Sequence, residues 1–346
     1  MSKRSACALY LAVLIQPALA GAQEGTPPPV PDAVQPAAAA PQDPEPAQIV
    51  IEGRRPGPGL WKVSKDGHVM WVFGLYSPLP RKMEWDAGRV ERLVAQSQEV
   101  LQAPQTNVGT SSVFGMIAAL PAMIGMKKSP DGARLEQVVP ADVYGRWTAL
   151  KGKYLGDDDG VEQYRPLFAA DELMNAALER NGLVRSGEVR KQIEKIAKKH
   201  DVKLTWTGVR VEIDSPGRAL RDFKKSQVED VACFTKTVER FEGDIDAMRA
   251  RANAWAEGKI AAIRNLDYAE RDDACNNAVL TGSFAKTNPA LQNMPERRQA
   301  SWVKAAETAL GANKVTFAML SMNEILGPKS YLAVLQEKGY AVESPK

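Results

Sequence analysis

Histidine and cysteine are scarce in this 346-residue chain. The two histidines, His68 and His200, are far apart, and neither belongs to a spacing that is typical of a metal site. His68 stands beside a predicted turn and His200 at the end of a predicted helix, so we interpret both as structural or solvated residues. The scarcity argues against a histidine-rich catalytic metal centre. We therefore expect no bound metal and no cofactor.

The chain also lacks a large excess of positive or negative charge. The chain has 45 Lys and Arg residues against 42 Asp and Glu residues. Lys3 and Arg4 lie in a segment that we expect to be removed, which brings the formal charge of the mature chain to about +1. This balance gives no electrostatic reason to expect nucleic acid binding.

The sequence lacks long hydrophobic runs, and its first apolar run is short. Lys3 and Arg4 precede the apolar residues 8–15, and small residues follow up to Ala20, a pattern typical of a secretory signal peptide over residues 1–20. The run is shorter than the roughly 20 residues that a transmembrane helix needs. We expect a periplasmic or secreted protein without a transmembrane span after cleavage, with a retained amino-terminal anchor as the alternative.

Only two of the three cysteines remain after that cleavage, Cys233 and Cys275. An even number of cysteines in an exported protein is most simply explained by a disulfide. The alternative is a pair of buried thiols.

A Pro- and Ala-rich stretch precedes the folded part of the chain. Residues 21–58 contain no apolar periodicity that a core could bury, so we predict an extended spacer. Residues 59–346 are then left as the folded domain.

Strand and helix patterns alternate through this domain and predict a mixed α/β fold with a helical middle region. Turn residues, alternating apolar positions and helix-capping signals supply the evidence. The predicted elements are a hairpin at Asp66-Gly67, a helix over 86–97, strands over 99–102 and 203–207, a helix ending at His200, a helical stretch over 226–276, a helix over 295–311, a strand over 314–322, a helix over 330–338 and a strand over 340–343.

One apolar segment, residues 113–126, contains Pro121. Fourteen residues with an internal proline favour a buried helix or a lid over a membrane span. A surface that faces a membrane or a partner is the alternative.

Two short segments near the ends of the domain carry a family resemblance. The first contains Gly74-x-x-Ser77 and the second Ser321-x-x-Glu324. This layout resembles the TraB/GumN family, a branch of a superfamily that includes Tiki-type proteases and erythromycin-esterase-like proteins. The resemblance implies a central mixed sheet that is built from both ends of the chain and flanked by helices.

Members of that family carry a Gly-x-x-His motif at each end and an acidic residue after the first helix, and these groups are thought to converge for metal binding or hydrolysis. Here Ser77 and Glu324 stand where the resemblance implies histidines, and Gln102 stands where it implies the acid. An arginine ahead of a tryptophan is kept as Arg298, with Trp302 four residues later. The equivalent positions in this chain are thus Gly74, Ser77, Gln102, Arg298, Ser321 and Glu324.

These substitutions leave little recognisable chemistry. Ser77 lacks the Gly-x-Ser-x-Gly context of a nucleophile and would need a distant histidine as its base. The resemblance places Glu324 at a strand end, where it faces Ser77 and is able to pair with Arg298. A polar pocket of Glu and Arg is one interpretation, and a simple ion pair is the other.

Three functions follow as hypotheses, and none of the residues above is a confident catalytic residue. The first is an exported protein with a degenerate hydrolase-type site and a binding or structural role in the cell envelope. The second is a hydrolase of peptide, ester or glycan bonds with an altered site. The third is an interaction module that docks an envelope partner or membrane surface through residues 113–126.

Overall fold

The computed structural model describes the folded domain, which lies within Gly53–Lys346. The described residues are 57–110, 113–185, 187–226, 228–243, 245–264, 271, 274–276, 278 and 289–345. The predicted signal peptide and nearly all of the predicted spacer lie outside them.

A β-hairpin opens the domain. Strand β1 (Leu60–Lys65) and strand β2 (His68–Leu75) pair antiparallel through the turn Asp66-Gly67. Both turn residues have positive φ angles, 50° and 79°. Two-residue hairpin turns favour this conformation because its twist matches that of the strands, and Asp-Gly accepts it easily. The predicted hairpin is confirmed.

The hairpin is the start of a six-stranded mixed sheet. Strand β9 (Val315–Ser321) pairs parallel with β2, and strand β10 (Ala341–Glu343) pairs antiparallel with β1. Strand β4 (Glu99–Leu101) pairs parallel with β9 on the other side, and strand β7 (Lys203–Thr205) pairs parallel with β4 and forms the far edge of the sheet. The order is β10-β1-β2-β9-β4-β7. The expectation that both ends of the chain build one sheet is confirmed.

Two smaller sheets lie outside the central one. Strands β3 (Leu79–Pro80) and β6 (Leu183–Val184) pair antiparallel. Strands β5 (Thr106–Gly109) and β8 (Val209–Glu212) pair parallel. Neither pair is predictable from the sequence, because each strand is too short to show a clear alternation of apolar residues.

Helices flank the central sheet and fill the middle of the chain, so the predicted mixed α/β class is confirmed. Most boundaries lie within a few residues of the predicted ones, as expected for helix and strand ends. The helices are Gly88–Ala95, Val113–Met123, Leu135–Val138, Ala141–Tyr154, Pro166–Arg180, Glu188–Lys199, Pro216–Lys225, Val231–Gly243, Ile245–Ala256, Ile260–Ile263, Met294–Ala312, Met322–Leu326 and Tyr331–Glu337, with 3₁₀ turns at Asp159–Gln163 and Pro289–Leu291.

The buried side chains form two hydrophobic clusters. One covers the central sheet and contains Phe73, Phe317 and Trp302. The other lies among the helices of the middle region and contains Trp147 and Phe234, whose ring centroids are 5.0 Å apart. Aromatic side chains of this size dominate the apolar area removed from water.

A disulfide joins Cys233 to Cys275, as the cysteine count predicted. Cys233 lies on the Val231–Gly243 helix and is fully buried in the helical cluster. The bond therefore holds the segment around residue 275 against the helical middle region.

The prediction that residues 113–126 form a buried segment is wrong for the Val113–Met123 helix. Phe114 is 86% exposed and Ile124, just after the helix, is 76% exposed. The helix packs against the Pro216–Lys225 helix, and of its residues whose burial is described, Ala119 and Ala122 are the buried ones. Among the described residues, no helix has both the length and the apolar character needed to span a membrane.

Candidate functional site

The two segments that carry the family resemblance meet at one edge of the central sheet. Strands β2 and β9 are parallel, and Leu75 at the end of one pairs with Ser321 at the end of the other. Because parallel strands end at the same edge of a sheet, the residues that follow them are neighbours in space. Ser77 follows β2, and Glu324 lies in the helix that follows β9.

Glu324 holds the start of the Met322–Leu326 helix. Its Oε2 accepts a hydrogen bond from the backbone N–H of Ser321 at 2.8 Å, and its own N–H donates to Ser321 Oγ at 3.2 Å. This reciprocal pair is a capping box, which satisfies N–H groups that a helix start leaves without partners. Ser321 and Glu324 thus have a local structural reason for their spacing.

The second carboxylate oxygen of Glu324 binds Arg298. Arg298 Nη2 donates to Glu324 Oε1 at 2.6 Å. The Glu324 side chain is 11% exposed and that of Arg298 is 31% exposed, so the pair is only partly screened by water. The expected ion pair is therefore formed, and neither oxygen of the carboxylate is without a partner.

Tyr331 lies against this ion pair. Its burial, followed by the negative charge of Glu324, raises the pKa of the Tyr331 hydroxyl to about 12, although Arg298 acts in the opposite direction. The phenol therefore stays neutral across the physiological range. Glu324, Arg298 and Tyr331 form one polar group beside the sheet edge.

Gly74 lets the Met322–Leu326 helix approach the end of β2. A β-carbon at position 74 would collide with Met322 Sδ and come within 3.1 Å of Trp61. The carbonyl oxygen of Gly74 accepts a hydrogen bond from Trp255 Nε1 at 2.7 Å. The glycine is thus explained by the close approach of Met322 and Trp61 to the space that a side chain would need.

An open pocket of about 330 Å³ lies at this edge. The disulfide brings Cys275 and its neighbour Asn276 to the pocket wall, together with Arg271. Arg271 and Asn276 were not predicted as site residues, and their closeness to Cys275 in the chain was the one signal for them. The described lining residues are Leu75, Ser77, Arg271, Cys275, Asn276, Arg298, Ser321, Met322, Asn323 and Glu324.

Gln102 is not among the described residues that line the pocket. Its side-chain Nε2 donates to Glu194 Oε1 at 2.8 Å, and its backbone carbonyl oxygen accepts a hydrogen bond from Thr207 Oγ1 at 2.7 Å. The structure therefore brings together Ser77, Arg298 and Glu324, as the altered-site hypothesis requires, but directs the amide of Gln102 to another partner.

Neither histidine lies near Ser77. His68 begins β2, and its Nδ1 is 2.6 Å from the carbonyl oxygen of Leu310. At about 3.3 Å per strand residue, β2 separates it from Ser77 by more than roughly 20 Å. His200 ends the Glu188–Lys199 helix and contacts Glu91. Ser77 therefore has no histidine base, because these two are the only histidines in the chain.

The lining residues do not fit a catalytic metal of the kind that the family resemblance implies. The described wall offers one carboxylate, Glu324, and both of its oxygens are engaged. Arg271 and Arg298 add positive charge, which disfavours a cation. Across the described residues, no group of three potential His, Cys, Asp or Glu ligands is close enough to hold a metal ion.

Comparison with known families identifies the family of the folded domain. The model of the TraB/PrgY/gumN family matches residues 59–344. The chain belongs to this family. No curated protein and no solved structure matches this TraB-family chain. Its place in a wider superfamily, and the equivalence of Ser77 and Glu324 to family histidines, stay predictions.

Proposed function

We propose that this TraB-family protein is exported and acts in the cell envelope by binding a polar ligand in the pocket, without hydrolysing it. The proposal rests on the hydrogen bonds that Glu324 makes. Its two carboxylate oxygens are held by Arg298 and by the backbone of Ser321. A carboxylate in this position stabilises a helix start and an ion pair, and is poorly placed to accept a proton from a nucleophile.

Hydrolysis at Ser77 would need a base. The chain's histidines lie elsewhere, and Gln102 is an amide that faces Glu194. A serine hydroxyl that no histidine activates is a weak nucleophile at neutral pH, and neither histidine is in place to act on Ser77. The same hydroxyl lines the pocket together with two arginines and Asn276, and a hydroxyl in that setting suits hydrogen bonding to a polar ligand.

The charges of the pocket indicate what kind of ligand it would accept. The described wall contains two guanidinium groups, of Arg271 and Arg298, against the single carboxylate of Glu324. Guanidinium groups match carboxylates and phosphates in geometry and charge. We infer that the ligand carries at least one anionic group.

A pocket-filling variant tests the binding role. Asn276 is exposed and lines the pocket, so Asn276→Trp should fold normally and reduce the pocket volume. Asn276→Ala is the matched control. Ligands are sought with a panel of carboxylates, phosphates and acidic glycan fragments, by calorimetry or thermal shift. The proposal expects one class of ligand to bind wild type and Asn276→Ala, and to bind Asn276→Trp at least about tenfold more weakly.

Hydrolase assays test the other half of the proposal. Peptide, ester and glycan substrates are incubated with wild type, Ser77→Ala and Glu324→Gln. The proposal expects the same background rate in all three. Turnover by wild type that disappears in Ser77→Ala would establish the hydrolase alternative instead.

Export has a direct test. The proposed cleavage after Ala20 leaves Gly21 as the first residue of the mature chain. Amino-terminal sequencing of the protein from the envelope fraction should find this residue. A chain that stays in the cytoplasm with its first residues intact would contradict the proposal.

A further inference from the structure

A small projecting unit consists of two strand–helix segments that run side by side. Strand β5 leads to the Val113–Met123 helix, and strand β8 leads to the Pro216–Lys225 helix. The strands pair in parallel, and the two helices pack against each other. Gly217 lies against the backbone of Ala118 and Ala119, where a β-carbon would still be 3.7 Å away. We call the residues 106–110, 113–128 and 206–225 the projecting unit.

The outer face of the Val113–Met123 helix is apolar and exposed. Phe114 is 86% exposed, and Ile117 and Leu120 are each more than half exposed. Spacings of three and four residues place these side chains in one row along the helix, and Ile124 continues the row. Monomeric proteins rarely leave such a continuous row in water.

No polar side chain interrupts this row. Residues 113–126 contain only apolar residues, glycine and proline. Interfaces between proteins usually include about one hydrogen bond per 100–200 Å² and a polar rim. The hydrocarbon boundary of a membrane needs no such partners, so the composition of this face favours lipid over a protein surface.

Positive charge lies beside the row. One of these cations lies directly beside it, because Lys224 Nζ donates to the carbonyl oxygen of Ile124 at 2.9 Å. The projecting unit has a formal charge of +4, whereas the whole chain has +3. Its basic residues are Lys127, Lys128, Arg210, Arg218, Arg221, Lys224 and Lys225, and its acidic residues are Glu212, Asp214 and Asp222.

We propose that the projecting unit docks on a membrane surface that contains anionic phospholipids. The Val113–Met123 helix lies in the plane of the membrane with Phe114, Ile117 and Ile124 among the acyl chains. Exposed cations of the second helix, Arg221 and Lys225, then meet the lipid phosphates. Each basic residue near an anionic surface adds attraction, and the apolar row adds insertion. This role depends on neither the pocket nor its ligand.

A local probe tests the insertion in the full chain with Cys7→Ser, so that the introduced cysteine is the one labelled. An environment-sensitive fluorophore is attached at Ile117→Cys, with the native disulfide intact, and Val138→Cys in the Leu135–Val138 helix is the matched control, since Val138 is also exposed. Phosphatidylglycerol vesicles should shift the emission of the probe at 117 to the blue and leave the probe at 138 unchanged. An unchanged probe at 117 would overturn the proposal. A blue shift that depends on protein concentration without lipid would replace the membrane with a second copy of the chain.

Two sets of variants test separately how the apolar row and the basic residues contribute to membrane binding. Phe114→Ser with Ile124→Ser should weaken binding to phosphatidylglycerol vesicles by about tenfold or more, because two buried apolar side chains are lost. Arg218→Gln, Arg221→Gln and Lys225→Gln together should weaken that binding and leave the weak binding to phosphatidylcholine vesicles unchanged.

Three exposed lysines on the Glu188–Lys199 helix, Lys191, Lys195 and Lys198, supply the charge-matched control when changed to Gln. This control should bind like wild type. Equal losses in the two triple variants would show a general effect of net charge and overturn the assignment of the surface.

Discussion

Met322 Sδ fills the space that a β-carbon on Gly74 would need. Gly74→Ala should therefore lower the free energy of unfolding by about 1–3 kcal/mol, because the helix after β9 must move away from the strand end. Urea denaturation measures this loss. Gly145→Ala is the control, since a β-carbon there meets nothing within 4 Å and helix propensity improves. Equal effects of the two substitutions would contradict the packing explanation.

The ion pair between Arg298 and Glu324 should show coupling in a double-mutant cycle. Glu324→Gln and Arg298→Gln should each lower the free energy of unfolding by about 1–2 kcal/mol, because each leaves a partly buried group without its charged partner. The double variant should lose less than the sum. Additive losses would mean that the two side chains stabilise the fold independently.

Tyr331 should cause a loss of stability at alkaline pH. Its pKa of about 12 in the folded protein is above the ordinary value of 10. The neutral phenol is favoured by folding, so its contribution is complete below about pH 10 and is lost as the pH rises toward 12. Unfolding of wild type and Tyr331→Phe at pH 8 and above pH 10 measures the difference. The wild type should lose more stability over this interval than the variant.

Glu99 should cause a loss of stability at acidic pH. Burial alone would raise the pKa of its carboxyl group, but hydrogen bonds from Lys203, Thr205 and Asn313 outweigh burial and lower it. The charged form is favoured by folding, so its contribution is present above the unfolded pKa of about 4.5 and is lost as the pH falls through the lower folded value.

Glu99→Gln should accordingly be less stable than wild type at pH 7 and lose less on acidification. Denaturation midpoints at pH 7 and below pH 4 give both numbers. A variant that loses as much stability as wild type between these two pH values would remove Glu99 as the cause.

Loss of the disulfide should destabilise the domain by up to about 4 kcal/mol. The bond closes a loop with a sequence separation of 42, and closing such a loop restricts the unfolded chain. Cys233→Ala with Cys275→Ala should show the loss in urea denaturation, and reduction of wild type should reproduce it. Labelling of both thiols in the unreduced, denatured protein would show that the bond does not form.

The central sheet could be predicted because its strands carry strong local signals. Asp66-Gly67 marks the hairpin, and the long apolar strand β9 follows a well-formed helix. The family resemblance then placed the two strand ends together. The small sheet of β5 and β8 could not be predicted, since every residue of β5 is exposed and shows no apolar alternation.

Only those site residues whose location follows directly from the pairing of the strands could be predicted. Ser77 and Glu324 follow paired strands, so their meeting depends on register alone. Gln102 also follows a strand, but its amide binds Glu194 on a helix 92 positions later, and no local pattern indicates that contact. The exposure of residues 113–126 was missed for the same reason, because an apolar run has the same composition whether it is buried or not.

The pairing of β2 with β9 joins residues that are 246 positions apart, from Val69 with Val315 to Leu75 with Ser321. A ribosome or a translocation channel delivers the chain from its amino terminus, so the hairpin of β1 and β2 emerges long before the strand it must contact. An isolated two-stranded hairpin is at best marginally stable in water. The order of strands in the sheet thus keeps the chain from closing its main sheet until synthesis is nearly complete.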